Sequence, residues 1–264
     1  MLNFYTSAIS ENDPDYTWVT GCSLKSLSEM FEIMKLEWYS AVYPEDQPAI
    51  DPGKIDYEKM YSFPGYQVAL LECWINWTMK STCNTIQFFR DHPERVKDTT
   101  VVADGFGAAS IMWASAFPNV KVVAHIMGDS QASICAKALK HFNLPNLTLE
   151  SGYSPATIHP VVLAYECFEH FYQPQAYATG IVRRCESLVY TAPWAVEAHG
   201  HFRAYLMDND EQATPNHLVS RKFGRWLRDN GFKSSGTMYG FTFFNGYPRM
   251  EFKAQPELPG TEAA

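Results

Sequence analysis

Residues 99–126 read TTVVADGFGAASIMWASAFPNVKVVAHI. The apolar run TTVVA predicts a β-strand, and DGFGA predicts the turn that follows it. A helix is predicted next, through Ile111, Trp113 and Phe117, and NVKVVAHI predicts a second strand. Two strands joined through a helix are typical of a parallel sheet, because parallel neighbours need a long crossover connection. This stretch therefore places the chain in the α/β class.

The same alternation continues toward the C-terminus. Helices are predicted from Tyr172 to Arg184 and over residues 218–230, the second ending at Gly231. The tail TMYGFTFFNGYPRMEF (237–252) has two alternating runs around Asn245-Gly246, which predict an antiparallel hairpin. Three further apolar runs predict strands: NLTLE (146–150), PVVLAY (160–165) and SLVYTA (187–192). We therefore predict a doubly wound, mostly parallel seven-stranded sheet with an antiparallel C-terminal hairpin strand.

The N-terminal part has a different composition and predicts a helical segment. Tyr66, Leu70, Cys73 and Trp77 recur at helical spacing and predict one buried face of a long helix. Such a stripe indicates core packing more than a ligand site. We predict an N-terminal helical or lid segment (1–95), a sheet domain (96–254) and a short tail (255–264).

Charge and cysteine usage narrow the class of protein. The 264 residues carry 21 Lys and Arg against 29 Asp and Glu, a net charge of −8. An acidic chain makes nucleic acid a less favoured partner than a small molecule or a protein. The six cysteines form no paired framework, which favours reduced thiols. We expect no signal peptide and no membrane span, and hence a cytoplasmic protein, with self-association left open.

The turn after the first predicted strand is the first candidate ligand site. Gly105 and Gly107 permit a tight turn and a close approach of ligand to backbone. In an open α/β sheet, ligands bind at the carboxyl ends of the strands. The simpler alternative is that both glycines serve only the conformation of the turn.

Three segments resemble one enzyme family. They are residues 101–152, VVLAYECFEHFYQP (161–174) and NHLVSRKFGRWLRDNGF (216–232), and the resemblance spans about residues 97–252. They resemble the class I S-adenosylmethionine-dependent methyltransferases, which have a Rossmann-like fold. The resemblance implies S-adenosylmethionine as cofactor and methyl transfer to an oxygen, nitrogen or carbon acceptor. The cofactor-binding positions that it implies are Asp104, Gly105, Phe106, Gly107, His125, Ile126 and Tyr165.

The sequence departs from the family pattern at the acids that contact the cofactor. The resemblance implies acids at Ala103, at Ile126, and at Ser151 or Tyr153. An unpartnered polar edge of a buried ligand costs about 1–3 kcal/mol. The alternative to an enzyme is therefore a catalytically inactive methyltransferase-like fold that serves binding or assembly.

A second candidate site follows the fourth predicted strand. Glu166, Glu169 and His170 are spaced i, i+3 and i+4, which would put them on one face of a helical turn. We predict that these three residues, with His199, face the substrate in an acid–base role and that no metal is bound. One alternative is a divalent cation, with His199 or His201 completing its ligands. The other is a structural role, with the two acids at a helix start.

Overall fold

The computed structural model describes residues 78–196, 201–208 and 210–232. Five α-helices, seven strands and two short 3₁₀ helices occur in these ranges. The helices are α1 (Met79–Asp91), α2 (Ala108–Ala116), α3 (Asp129–Phe142), α4 (Pro174–Val182) and α5 (Asn216–Asp229), with 3₁₀ turns at Pro93–Arg95 and Phe168–His170. The strands are β1 (Thr99–Val101), β2 (Val122–Ile126), β3 (Leu147–Ser151), β4 (Val161–Tyr165), β5 (Ser187–Thr191), β6 (Ala204–Tyr205) and β7 (Thr214–Pro215).

Strands β1 to β5 form one parallel sheet in the order β3-β2-β1-β4-β5. Thr99 is in register with Val122 of β2 on one side and with Val161 of β4 on the other. The chain therefore builds outward from β1 in one direction, then returns to its other side for β4 and β5. The α/β prediction and its five parallel strands are confirmed.

Helices cover both faces of the sheet, and each face has its own apolar core. On one face, α1, α2 and α3 pack against alternate strand residues such as Val101 and Ile126. Phe89 of α1 meets Trp113 of α2 edge-on, with ring centroids 4.8 Å apart. On the other face, α4 and α5 pack against Val102 and the residues that alternate with the first set. This arrangement is doubly wound, as predicted.

The connection from β3 to β4 contains no helix. Residues 152–160 instead return to the start of β4 through bends, with no helix or strand. The Glu150 carboxylate accepts hydrogen bonds from the backbone N–H of Thr157, at 3.0 Å, and from its hydroxyl. The backbone N–H of His159 donates to Thr100 Oγ1 at 3.1 Å. Polar side chains on this part of the sheet thus hold the segment that takes the place of a helix.

The seven-stranded sheet is not confirmed for the described part of the chain, whose main sheet has five strands. Strands β6 and β7 pair with each other, antiparallel, as a separate two-residue ladder. They are not the predicted C-terminal hairpin, because residues 237–252 lie outside the described ranges. Residues 1–77 of the predicted N-terminal segment 1–95 also lie outside them. Among the described helices, none has both the length and the apolar character needed to traverse a membrane.

Candidate functional site

The candidate site lies where the carboxyl ends of β1 and β4 are neighbours. The two strands are parallel and in register, so the residues after Val101 and after Tyr165 emerge at the same edge. The order of the strands reverses between β1 and β4. This is the topological switch point at which open α/β sheets bind ligands. Both predicted site segments, 103–107 and 166–170, therefore converge at one place.

The turn after β1 has three residues with positive φ. They are Ala103 (53°), Gly105 (58°) and Gly107 (88°). Ala103 adopts a conformation that disfavours a side chain by about 1 kcal/mol. Residues 103–106 are all half-buried. The turn is thus tightly wound and remains within reach of a small molecule.

The carboxylate of Asp104, the second residue of this turn, makes hydrogen bonds within the protein. Its carboxylate accepts hydrogen bonds from the backbone N–H groups of Ala109, at 3.1 Å, and Ser110, at 2.7 Å, and from the Ser110 hydroxyl. These donors belong to the first turn of α2, where a helix favours negative charge. Burial nevertheless raises the pKa of Asp104 to about 6. Asp104 therefore fixes the glycine turn to α2, a role that the sequence prediction of cofactor contact did not include.

Gly107 is required by packing. A Cβ built on it would lie 2.5 Å from Cys135 Sγ of α3, and its φ is +88°. The positive φ and the contact with Cys135 are therefore enough to explain a glycine at position 107, without any role in ligand binding. Phe106 packs against the apolar core of the α2 and α3 face.

His125 and Ile126 of β2 point to opposite faces of the sheet. Ile126 is fully buried in the apolar core. His125 Nδ1 accepts a hydrogen bond from the backbone N–H of Ala103 at 3.3 Å, which assigns the proton to Nε2, 2.9 Å from the Gly152 carbonyl. Burial lowers the pKa of His125. Asp129 is the first residue of α3, three positions after Ile126, and its carboxylate is exposed.

Tyr165, the last residue of β4, is also engaged in the fold. Its hydroxyl donates to Thr85 Oγ1 of α1 at 2.8 Å, and its side chain is buried. It links the sheet to the first described helix. Its predicted contact with a cofactor stays a prediction.

Glu166, Glu169 and His170 do not share one helical turn. Glu166 has a positive φ of 49°, and the 3₁₀ turn begins only at Phe168. The backbone N–H of Glu166 donates to Thr191 Oγ1 of β5 at 3.2 Å. Burial raises the pKa of the Glu166 carboxyl to about 7, and a hydrogen bond between this carboxyl and the Thr191 side chain acts in the opposite direction. Glu166 is therefore held at the edge between β4 and β5, apart from the turn that carries the other two residues.

Glu169 is fully buried, and neither of its carboxylate oxygens has a hydrogen-bond partner among the described residues. Its Oε1 lies 3.9 Å from Nε2 of His170, whose side chain is 22% exposed. Burial, and then the nearby Glu166 carboxyl, raise the pKa of Glu169 well above its usual range.

His201 completes a cluster with these two residues. One ligand atom from each of Glu169, His170 and His201 lies within 4.8 Å of the others. The rings of His170 and His201 are 4.9 Å apart and nearly perpendicular. Burial lowers the pKa of His201 to about 4, so its imidazole is neutral. His199, which we predicted to be catalytic, lies outside the described residues.

Comparisons with known proteins identify the fold through structure. No family model matches the sequence, and no curated protein does either. An O-methyltransferase family protein from Burkholderia thailandensis superposes with a TM-score of 0.53 at 10% identity, covering 81% of this chain and 68% of that one. The chain has the class I methyltransferase fold.

Other solved structures superpose less well. Magnesium protoporphyrin IX methyltransferase from Synechocystis PCC 6803, solved with bound S-adenosylhomocysteine (SAH), has a TM-score of 0.38 at 10% identity, over 63% of this chain and 70% of that one. The N-terminal domain of EvdMO1, solved in the presence of SAH and D-fucose, has a TM-score of 0.37 at 13% identity, over 42% and 49%. This chain thus spans about half of the EvdMO1 domain.

Two residues at the edge of this methyltransferase fold escaped the sequence analysis. Thr191 holds Glu166, and Tyr205 donates its hydroxyl to the Glu169 carbonyl at 2.9 Å. The position of Thr191 could have been predicted, because it lies at the end of the predicted fifth strand, beside the end of the fourth. The contact of Tyr205 could not have been predicted, since no periodic pattern connects it to Glu169.

Proposed function

We propose that this protein transfers a methyl group from S-adenosylmethionine to an acceptor, with oxygen in a small molecule favoured. The observation that carries the proposal is the glycine turn at the switch point between β1 and β4, in a fold shared with methyltransferases. The SAH in related structures supports this choice of cofactor. The O-methyltransferase relative from Burkholderia supports oxygen as the acceptor atom.

The glycine turn fits a cofactor of this kind. Gly105 has no side chain to block an approach to the backbone, and the half-buried turn is accessible. Gly105, Phe106 and Gly107 would flank the cofactor, and the exposed Asp129 is the acid that we place beside its ribose. S-adenosylmethionine, when bound, supplies an activated methyl group on its sulfonium. The protein's own task is then alignment and exclusion of water.

The groups after β4 would face the acceptor. The pKa of Glu166, raised to about 7, suits a group that takes a proton near neutral pH. His170 is the more accessible residue of the cluster, with its side chain 22% exposed. We therefore assign proton removal from the acceptor to Glu166, and His170 and His199 are retained as predicted residues that face the acceptor. A protein acceptor remains the second choice, and nucleic acid the third, because of the net charge of −8.

The test is calorimetric titration of the full-length protein with SAH and with S-adenosylmethionine. Binding at micromolar concentration, about −8 kcal/mol, is expected for the wild type. Gly105→Ala is expected to weaken binding at least about tenfold, because a side chain is disfavoured at the positive φ of Gly105 (58°) and would disturb the turn that approaches the ligand. The matched control is Gly180→Ala in α4, where a Cβ meets only Arg184 Nη2 at 3.9 Å. Its affinity should equal that of the wild type.

Two results would contradict the proposal. The first is no heat at millimolar cofactor from folded wild-type protein that carries no copurified ligand, which would leave the inactive scaffold as the better interpretation. The second is equal affinity of Gly105→Ala and the wild type, which would move the binding site away from the turn.

A further inference from the structure

We infer that Glu169, His170 and His201 form a binding site for one divalent cation, at the carboxyl edge of the sheet beside the β4 turn. Their ligand atoms already lie within 4.8 Å of one another. Two neighbouring residues and a third one from a distant loop therefore converge on one point. The residue spacing alone led us to predict an acid–base role without metal, and the convergence of these three side chains is what leads us to propose the cation.

The Glu169 carboxylate is the strongest sign of a missing partner. It is fully buried, and within the described ranges neither oxygen has a hydrogen-bond partner, although the backbone N–H groups of Cys167 and Glu169 itself partly stabilise its charge. A buried polar group without a hydrogen bond is costly, and a charged one more so. The position is nonetheless firmly built, because Tyr205 donates to the Glu169 backbone carbonyl at 2.9 Å and accepts from the Phe202 N–H at 3.3 Å. A cation would supply the partner that this carboxylate lacks.

The imidazole of His201 is prepared for a ligand role. Its Nδ1 lies 2.8 Å from the Val196 carbonyl, which can only accept, so the proton is assigned to Nδ1. The lone pair of Nε2 then remains for the cluster. Histidines that bind metals usually donate their other N–H to a carbonyl or carboxylate, which fixes the tautomer and the ring. His201 has this arrangement before any ion arrives.

The ligand set indicates the class of cation. Two imidazoles and one carboxylate suit borderline ions such as Zn²⁺, Co²⁺ or Mn²⁺ better than Ca²⁺, which prefers six or more oxygens. Three protein ligands leave a position open, and the partial exposure of His170 gives a route to it. Under the proposed function, on which this last step rests, the open position would hold the acceptor oxygen.

The test uses full-length protein, stripped of metal with a chelator and then titrated with Co²⁺. Wild-type protein is expected to bind one equivalent and to develop visible d–d absorption, which Zn²⁺ then abolishes by displacement. Glu169→Gln keeps the size of the side chain and removes its charge, and His170→Ala removes a partly exposed ligand. Each variant should lower the Co²⁺ affinity at least about tenfold. The matched control is His217→Ala on the exposed surface of α5, which should bind like the wild type.

Two outcomes would overturn the site. One is a wild-type titration without specific Co²⁺ absorption, and the other is variants that bind Co²⁺ as tightly as the wild type. If the buried Glu169→Gln variant fails to fold, His170→Ala decides the question. Because the titration contains no cofactor, its failure is separate from failure of SAH binding, and each proposal can stand without the other.

Discussion

The carboxylate of Asp104 joins the glycine turn to the first turn of α2 through three hydrogen bonds from Ala109 and Ser110. Burial opposes its charge and raises its pKa to about 6. The folded protein therefore holds a proton on Asp104 that the unfolded chain, with an ordinary pKa near 3.8, has already lost. It follows that this residue makes the free energy of unfolding fall as the pH rises from about 4 to about 6.

Asp104→Asn removes that titration and keeps the shape of the side chain. Relative to the variant, the wild type is expected to lose up to about 3 kcal/mol of unfolding free energy between pH 4 and pH 7, at about 1.4 kcal/mol per pKa unit. Urea denaturation of both proteins at several pH values measures this difference. Parallel curves for the two proteins would contradict the assignment.

The hydrogen-bond partners of the site's side chains were the hardest feature to predict from sequence. The sequence placed Asp104 and His125 at the correct edge, because Asp104 follows the first predicted strand and His125 is the penultimate residue of the second. It could not show that Asp104 bonds to its own helix or that His125 bonds to two backbone groups. The sequence offered the approach of His201 to Glu169 only as one alternative beside His199, since it depends on the path of a loop and not on any local period.

The helix α2 is secured at its C-terminal end by a side chain from outside the helix. Asn146, just before β3, places its amide nitrogen 3.1 Å from the Ala114 carbonyl, 3.2 Å from that of Phe117 and 3.0 Å from that of Val120. Carbonyls at a helix end lack partners within the helix. Asn146 therefore joins the end of α2 and its following turn to the edge strand of the sheet.

Asn146→Ala should lower the free energy of unfolding by about 1–3 kcal/mol, because it leaves these carbonyls without their donor. Urea denaturation measures the change. Asn143→Gly is the matched control, since Asn143 ends α3 in a left-handed conformation (φ 46°) that glycine adopts freely. Its stability should stay within about 0.5 kcal/mol of the wild type. Equal losses in the two variants would argue against the role of Asn146.

Predictions of individual elements succeeded where a strand is buried on both sides. The strands β2, β4 and β5 are mostly apolar runs, and their observed bounds lie within the predicted ones. The turn after β4 was less predictable, because the left-handed Glu166 interrupts a spacing that is compatible with a helix. No propensity of glutamate indicates that conformation.

At the scale of the whole molecule, the connection from β3 to β4 distinguishes this fold from a regular alternation of strands and helices. The segment that makes this connection, residues 152–160, is held by Arg184, which follows α4. The guanidinium donates to the carbonyls of Ala156, at 3.1 Å, and Pro155, at 3.3 Å, and its Nε donates to Gly180 at 2.7 Å. One side chain thus connects the return segment to α4, whose core also includes Ile158 of that segment.

Arg184→Ala is expected to loosen the return segment while leaving the sheet intact. Hydrogen exchange at the amides of Thr157 and His159 should quicken at least about fivefold, the equivalent of about 1 kcal/mol. The neighbouring exposed Arg183 provides the control variant Arg183→Ala, for which no such change is expected. Unchanged exchange at Thr157 in Arg184→Ala, or equal acceleration in β1 and β2, would refute this account.

His125 has a consequence for the cooperativity of folding. Its two nitrogens are satisfied only when the turn after β1 and the residue after β3 are both in place around β2. A partly folded chain that has formed only one of these neighbours would bury an imidazole nitrogen without a partner, at a cost of about 1–3 kcal/mol. Intermediates with two of the three strands docked are thereby disfavoured. The edge that carries the glycine turn should accordingly form in one step and also be lost in one step.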